Sequence, residues 1–158
     1  MTTKAEQALE LIQKLAGSEE GVGDWFTIDQ DRINAFAEVT EDRQFIHIDP
    51  ERAKDTPFGT TIAHGFLTLS MLSHLVQSIR QDPAAYDGAV MGINYGFEKV
   101  RFISPVKVDA RIRARSEIVG AELKDANTIQ VTRRMTIEID GEAKPACVAD
   151  WLTRTMYA

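Results

Sequence analysis

Two kinds of hydrophobic pattern divide the chain. Between Lys4 and Ala16, Ala5, Ala8, Leu9, Ile12 and Leu15 recur at helical spacing before Gly17, which predicts an amphipathic N-terminal helix over residues 4–16. A glycine-punctuated stretch follows, then a short apolar piece, Trp25 to Ile28, read as a strand. Asp29 can cap a second helix in which Ile33, Phe36 and Ala37 share a face. Glu41 to Pro50 is irregular and polar, with a turn or short helix starting at Pro50. From Ala63 to Arg80 there is no proline, and Phe66, Leu67, Leu69, Met71, Leu72, Leu75, Val76 and Ile79 point in nearly every direction around a helix. A helix apolar on most sides is buried on most sides, so this segment is predicted to be one long central helix.

The second half changes period. Val106, Val108, Ala110, Ile112 and Ala114 alternate with Lys107, Asp109, Arg111, Arg113 and Arg115, the mark of a strand with one wet face. Ile129, Val131, Met135, Ile137 and Ile139 repeat the pattern, with Arg133 read as a break in phase. Asp140-Gly141 offers a tight turn into a last strand over about 143–156, and Pro145 argues that this strand starts late or with a bulge. An earlier strand over residues 90–97 completes a sheet lying mainly within 88–156. Helices followed by long antiparallel strands give an α+β class, as a single domain over residues 1–158. One buried helix and one curved antiparallel sheet imply that the sheet wraps the helix, the hot-dog arrangement.

Composition narrows the function. The 158 residues carry 18 Lys+Arg against 24 Asp+Glu, a formal net charge of −6, which speaks against a general nucleic-acid binder. The single cysteine, Cys147, excludes an internal disulfide framework and a multi-cysteine zinc site. No apolar run is long enough for a membrane span, and no export segment is evident. The expectation is a cytoplasmic protein that binds neither nucleic acid nor membrane.

Three histidines are candidates for chemistry. Asp42 and His47 lie five residues apart in the irregular segment, where a carboxylate and an imidazole can converge on a water as acid and base. The plainer reading is a turn cap at Asp42 and a loop residue at His47. His64-Gly65 stands at the start of the central helix, where free N–H groups can stabilise an enolate-like oxygen and glycine admits a ligand closely. Equally, Gly65 can serve packing and His64 can serve as an N-terminal hydrogen bonder. His74 reads as structural. A metal site assembled from His47, Asp49 and His64 lacks a recognised ligand spacing, and no metal is expected. No nucleophile elbow or phosphate loop is present, and Cys147 reads as a small buried hydrophobe. The strand arginines read as a solvated face.

Three stretches resemble one family. Thr40-Glu41-Asp42-Arg43-Gln44-Phe45-Ile46-His47-Ile48-Asp49-Pro50 is similar to the hydratase motif of MaoC-like (R)-specific enoyl-CoA hydratases, written Gly-Asp-x-Asn-Pro-hydrophobic-His. Pro57 to Thr68, with Ala63-His64-Gly65, resembles the family's second signature, and Asn94 to Val106 its third. The wording is nearest to the nodulation-protein-N-like branch, with the motif segment at residues 40–68 and the likeness spanning roughly 24–156. The resemblance implies a hot-dog fold, a homodimer, and reversible syn addition of water to a trans-2-enoyl-CoA, giving the (R)-3-hydroxyacyl-CoA. It implies no cofactor besides the thioester substrate. Carried over by position, Asp42 and His47 hold and activate the water, and the Gly65 N–H receives the thioester oxygen. Ser73, eight residues on and about 80° around the helix from Gly65, falls where family members often carry a serine. Glu41 replaces the motif's glycine, and Gln44-Phe45 replaces its Asn-Pro. Gln44 can supply the asparagine's hydrogen bond with a longer side chain, whereas Phe45 removes a rigid turn. Two other activities use the same fold: non-catalytic acyl-thioester binding, and acyl-CoA thioester hydrolysis.

Overall fold

Thr3 starts the first helix, α1 (Lys4–Gln13), through a reciprocal cap. Its hydroxyl accepts from the Glu6 N–H, and the Glu6 carboxylate accepts from the Thr3 N–H. The computed structural model describes residues 2–158. α1 buries Ala5, Ala8 and Ile12 against Ile118, Ile129, Val131 and Tyr157, a satellite core at one end of the sheet. It closes before the expected Ala16, because residues 14–17 form a turn that ends on Gly17 at φ +83°.

The strands are β1 (Glu19–Val22), β2 (Phe26–Thr27), β3 (Ala89–Phe102), β4 (Arg111–Asp125), β5 (Thr128–Ile139) and β6 (Cys147–Tyr157). They form one antiparallel sheet in the order β1-β4-β5-β6-β3, with β2 also paired to β4. β1 lies in the glycine-punctuated stretch where no strand was expected. Those glycines let it cross the helical segment closely: a Cβ on Gly23 would sit 2.6 Å from the Leu75 carbonyl oxygen, and one on Gly21 2.8 Å from Ile79. β6 starts at Cys147, late, as Pro145 predicted. β4 starts at Arg111 rather than Val106, because Asp109 turns the backbone at φ +66°. The alternation at 106–108 is nonetheless real. These residues bond to the motif segment, with Ala63 N donating to Val106 O (2.8 Å) and Val108 N to Thr61 O (3.0 Å).

The inner face of β5 carries Ile129, Val131, Arg133, Met135, Ile137 and Ile139 at strict period two. Arg133 therefore does not break the phase. It occupies an inward position, and its burial is a fact the alternation alone does not explain.

The remaining helices are α2 (Gln30–Thr40), α3 (Phe45–Ile48), α4 (Pro50–Ala53), α5 (Gly65–Ser70) and α6 (Leu72–Leu75), followed by a 3₁₀ turn over Val76–Ser78. The expected single long helix is thus a helical run in three pieces. Its first break is at Met71, where the His74 N–H closes an i→i+3 bond to the Met71 carbonyl. Leu67, Leu72, Leu75 and Ile79 pack with Ile112, Ala114, Met135 and Ile137 in the main core. Each of the leucine, isoleucine and methionine side chains contributes roughly 1.5–3 kcal/mol by leaving water. Burial on most sides is not what the chain shows: Phe66, Ser70, Ser73 and Gln77 form an exposed stripe, with Phe66 70% accessible. Beside that stripe runs β3, an edge strand with Val90, Ile93 and Tyr95 exposed. Among the described residues, no helix is long and apolar enough to cross a membrane.

Candidate active site

The motif segment is aimed by backbone geometry on both sides. α2 is capped by Asp29, which accepts from the Arg32 N–H, and ends on Glu41 in a left-handed conformation at φ +63°. That reversal starts the loop, and Arg43 holds it by pairing with Glu38 and Glu41 at its base. Asp42 is exposed, and its carboxylate accepts a long bond from the Gln44 N–H (3.4 Å). Gln44 precedes α3, a single turn that carries His47 into the interior. Its own side chain is exposed and makes no cap bond.

His47 is held at three points. Its backbone carbonyl accepts from Gln30 Nε2 (2.7 Å), and Gln30 Oε1 accepts in turn from the buried Thr61 hydroxyl (2.5 Å). Its ring Nδ1–H donates to the Ile62 carbonyl (2.7 Å). A carbonyl can only accept, so the proton of the neutral ring sits on Nδ1 and Nε2 carries the free lone pair. His64, 2% accessible, donates from Nε2 to the Asp42 carbonyl (2.9 Å), and its ring stacks on His47 with centroids 3.8 Å apart and planes 26° apart. Phe36 covers the other side of His64 at 4.9 Å. His64 Nδ1 is buried with no partner among the described residues. Burial holds His47 below the ordinary imidazole range, and the neighbouring His64 pushes the same way, against the opposing Ile62 hydrogen bond and Asp42 charge. His47 is therefore a neutral base at neutral pH.

One side-chain atom each from Asp42, His47 and His64 lies within 4.8 Å of the others. Three such ligands could in principle hold a cation. The two ring planes run nearly parallel, however, so their lone pairs lie side by side rather than converging on one ion. The arrangement suits proton transfer.

His47 and Gly65 share the wall of one cavity of about 240 Å³, with Thr68 and Phe102 also lining it. Gly65 opens α5, so its N–H has no acceptor within the helix. A Cβ there would press on the Phe102 ring at 3.1 Å. Ser73 is not part of this group: it is exposed and lines a separate cavity of about 430 Å³ with Phe36, Ser70, Asn94 and Trp151. His74 is exposed and meets Phe26 edge-on at 4.7 Å. Burial pushes the Cys147 thiol up to about 11, which fits a buried packing residue and not a nucleophile. Arg111, Arg113 and Arg115 pair with Asp140, Glu138 and Glu19 on the outer face.

Sequence reasoning missed Gln30 and Thr61 as supports of His47. It also read His64 as an N-terminal hydrogen bonder. The ring makes no cap bond; it reaches back to the motif loop instead. The Ala-His-Gly wording was the available signal for His64, and for Gln30 and Thr61 there was none.

Residues 12–139 match the model of the MaoC like domain. The chain is 49% identical over 139 residues to 3-hydroxyacyl-thioester dehydratase Z of Mycobacterium tuberculosis, covering 88% of this chain and 89% of that one. It is 45% identical over 153 residues to Nodulation protein N of Rhizobium meliloti, covering 96% and 93%. Among solved structures it is similar to the (R)-hydratase from A. caviae involved in PHA biosynthesis, with a TM-score of 0.63, 26% identity, and 84% and 95% of the two chains covered. These neighbours share the hot-dog architecture of helices against a curved antiparallel sheet. The chain belongs to the MaoC-like dehydratase family of hydratase and dehydratase enzymes.

Proposed function

We propose that this protein is an (R)-specific enoyl-CoA hydratase, adding water reversibly and syn to a trans-2-enoyl-CoA to give the (R)-3-hydroxyacyl-CoA. The observation that carries the reading is the unprotonated Nε2 of neutral His47, placed beside Asp42 and in one cavity with the Gly65 N–H. One member of the Asp42–His47 pair takes a proton from the water as its oxygen bonds to C3. The other relays that same proton to C2, so the oxygen and both hydrogens added come from one water. The Gly65 N–H receives the thioester oxygen as negative charge gathers on it. His64 positions the pair, binding the Asp42 backbone and supporting the His47 ring. The dehydratase relative and the (R)-hydratase neighbour support the same reaction class. The chemistry draws on no metal and no cofactor beyond the thioester. Gln44 acts through its backbone, which orients the Asp42 carboxylate, and Ser73 acts outside the reacting centre.

The working unit in this reading is a homodimer in the cytoplasm. The exposed apolar edge of β3 and the Phe66 stripe on the central helix are two adjoining surfaces that a second copy would cover. The test is a coupled pair of measurements: loss of the conjugated enoyl-thioester absorbance, and chiral analysis of the product. An (S) product, or free thiol without hydration, sinks the proposal; the second outcome identifies a thioesterase. Saturable thioester binding without product identifies a binding module instead.

A further inference from the structure

A second polar cluster lies on the inner face of the sheet. Arg133, 7% accessible, donates from Nε and Nη2 to the Glu20 carboxylate (2.8 and 3.1 Å), from Nη2 also to the Tyr86 hydroxyl (2.9 Å), and from Nη1 to Thr153 Oγ1 (3.3 Å). Glu20 also accepts from Ser116 and Gln81, which fills its capacity. Donors are left over. An arginine has five N–H groups and four are used here, so one on Nη1 has no acceptor among the described residues. The Tyr86 hydroxyl accepts from Arg133 but has no acceptor for its own hydrogen among the described residues.

These spare donors face a cavity of about 200 Å³ bounded by Val76, Ile79 and Trp151. Asn94 and Trp151 also line the larger cavity beside Ser73, so the two spaces adjoin end to end. Leu69, Ser73 and Val76 fall on one face of the helical run and form the opposite wall. The near end of this groove is Phe36, whose ring lies against His64. The Trp151 indole N–H, buried in the shared wall, also lacks an acceptor among the described residues.

From this geometry we infer that the groove is an acyl-chain subsite for thioesters whose far end carries an acceptor oxygen, as a hydroxyl or a carboxylate. The inference rests on the acyl-thioester reading above for the identity of the chain that enters. A methyl end brought against Arg133 and Tyr86 leaves buried donors unpaired, whereas an oxygen end satisfies them. Glu20 and Arg133 cancel, so this wall selects for an acceptor oxygen and not for its charge. Arg154 pairs across the ladder with Gln130 on the opposite face of the sheet, where its guanidinium donates to Gln130 and stacks on Tyr95.

The test is calorimetric binding of saturated acyl-CoAs, which lack the double bond and cannot be hydrated. Chains of stepped length are each supplied with a methyl, a hydroxyl or a carboxylate end. At the lengths that reach Arg133, the hydroxyl and carboxylate forms are both expected to bind on the order of tenfold tighter than the methyl form. Tyr86→Phe should shrink the preference of both oxygenated chains over methyl, and Arg154→Gln, on the other face of the sheet, should leave it alone, with the circular dichroism of both variants unchanged. Equal binding of all three ends at every length overturns the inference. So does a preference that Tyr86→Phe leaves intact, one that Arg154→Gln removes, or no binding by any of the chains. Because nothing is turned over, failure to hydrate an enoyl-CoA would sink the hydratase reading and leave this result standing.

Discussion

The molecule holds two buried polar clusters, and they are wired differently. In the Glu20–Arg133 cluster the side chains bond mainly to one another, joining β1, β4, β5, β6 and the segment that carries Tyr86. Burial opposes ionisation of Glu20, but the Arg133 hydrogen bonds and charge hold its carboxyl below the usual carboxylate range. In the Asp42–His47–His64 cluster each imidazole spends one nitrogen on a backbone carbonyl and keeps the other free. The first cluster is a joint in the scaffold with two donors to spare. The second is held in place by the backbone while its reactive atoms stay uncommitted. Side chains tied to each other give cohesion; side chains tied to the backbone can change protonation without loosening the fold.

That contrast can be broken by exchanging the outcomes of mutation. Asp42→Asn should lower hydration by roughly 10²–10⁴-fold while the melting temperature stays put, because Asp42 is exposed and its carboxylate carries one weak bond. Arg133→Met should do the reverse kind of damage, costing about 3–5 kcal/mol in chemical denaturation by leaving Glu20 buried and unpaired. Adding Glu20→Leu to it should restore most of that loss. If Asp42→Asn melted the protein, or Arg133→Met left stability alone, the distinction would fail.

His64→Gln tests the join between loop and ring. It keeps a donor toward the Asp42 carbonyl but removes the stacked imidazole, so kcat should fall roughly ten- to a hundredfold. KM should hold, and the acid limb of the pH profile should move up as His47 loses the neighbour that lowers its pKa. The smallest effect expected is in pH dependence itself. His47 has a folded value below its unfolded one of about 6.5, so the unfolded chain binds more protons between the two. Its stabilising contribution is complete above about 6.5 and is lost as the pH falls through the folded value. The acid limb of activity should sit in the same window. A limb centred above 6.5 would contradict the neutral, buried His47.

How much of this was legible depends on the range of the interaction. Asp42, His47 and Gly65 could be named from a local motif, and the structure brings Asp42 to His47 and seats Gly65 in the His47 cavity. Ser73 was placed by angular position on a helix, but the helical run breaks at Met71 and the serine faces a different space. Arg133 was misread because alternation reports which face a residue occupies, while its acceptor, Glu20, lies 113 positions away. β1 was missed for a related reason. Its four residues carry little β-propensity, and they are strand because β4 supplies their hydrogen bonds. The stacking of His47 on His64 is likewise a product of the Ile62–Ile46 and Ala63–Val106 backbone bonds, which no local pattern announces.

The lone cysteine gives this scaffold a built-in clock. Cys147 begins β6, paired to Phe102 on one side and Ile137 on the other, and is 1% accessible. A thiol reagent cannot reach it while either ladder holds. Labelling must therefore wait for the strand to come away, and the rate of modification counts those openings one molecule at a time. No mutation is needed to install the reporter, and its readings from the intact protein can be set beside those taken with a thioester bound.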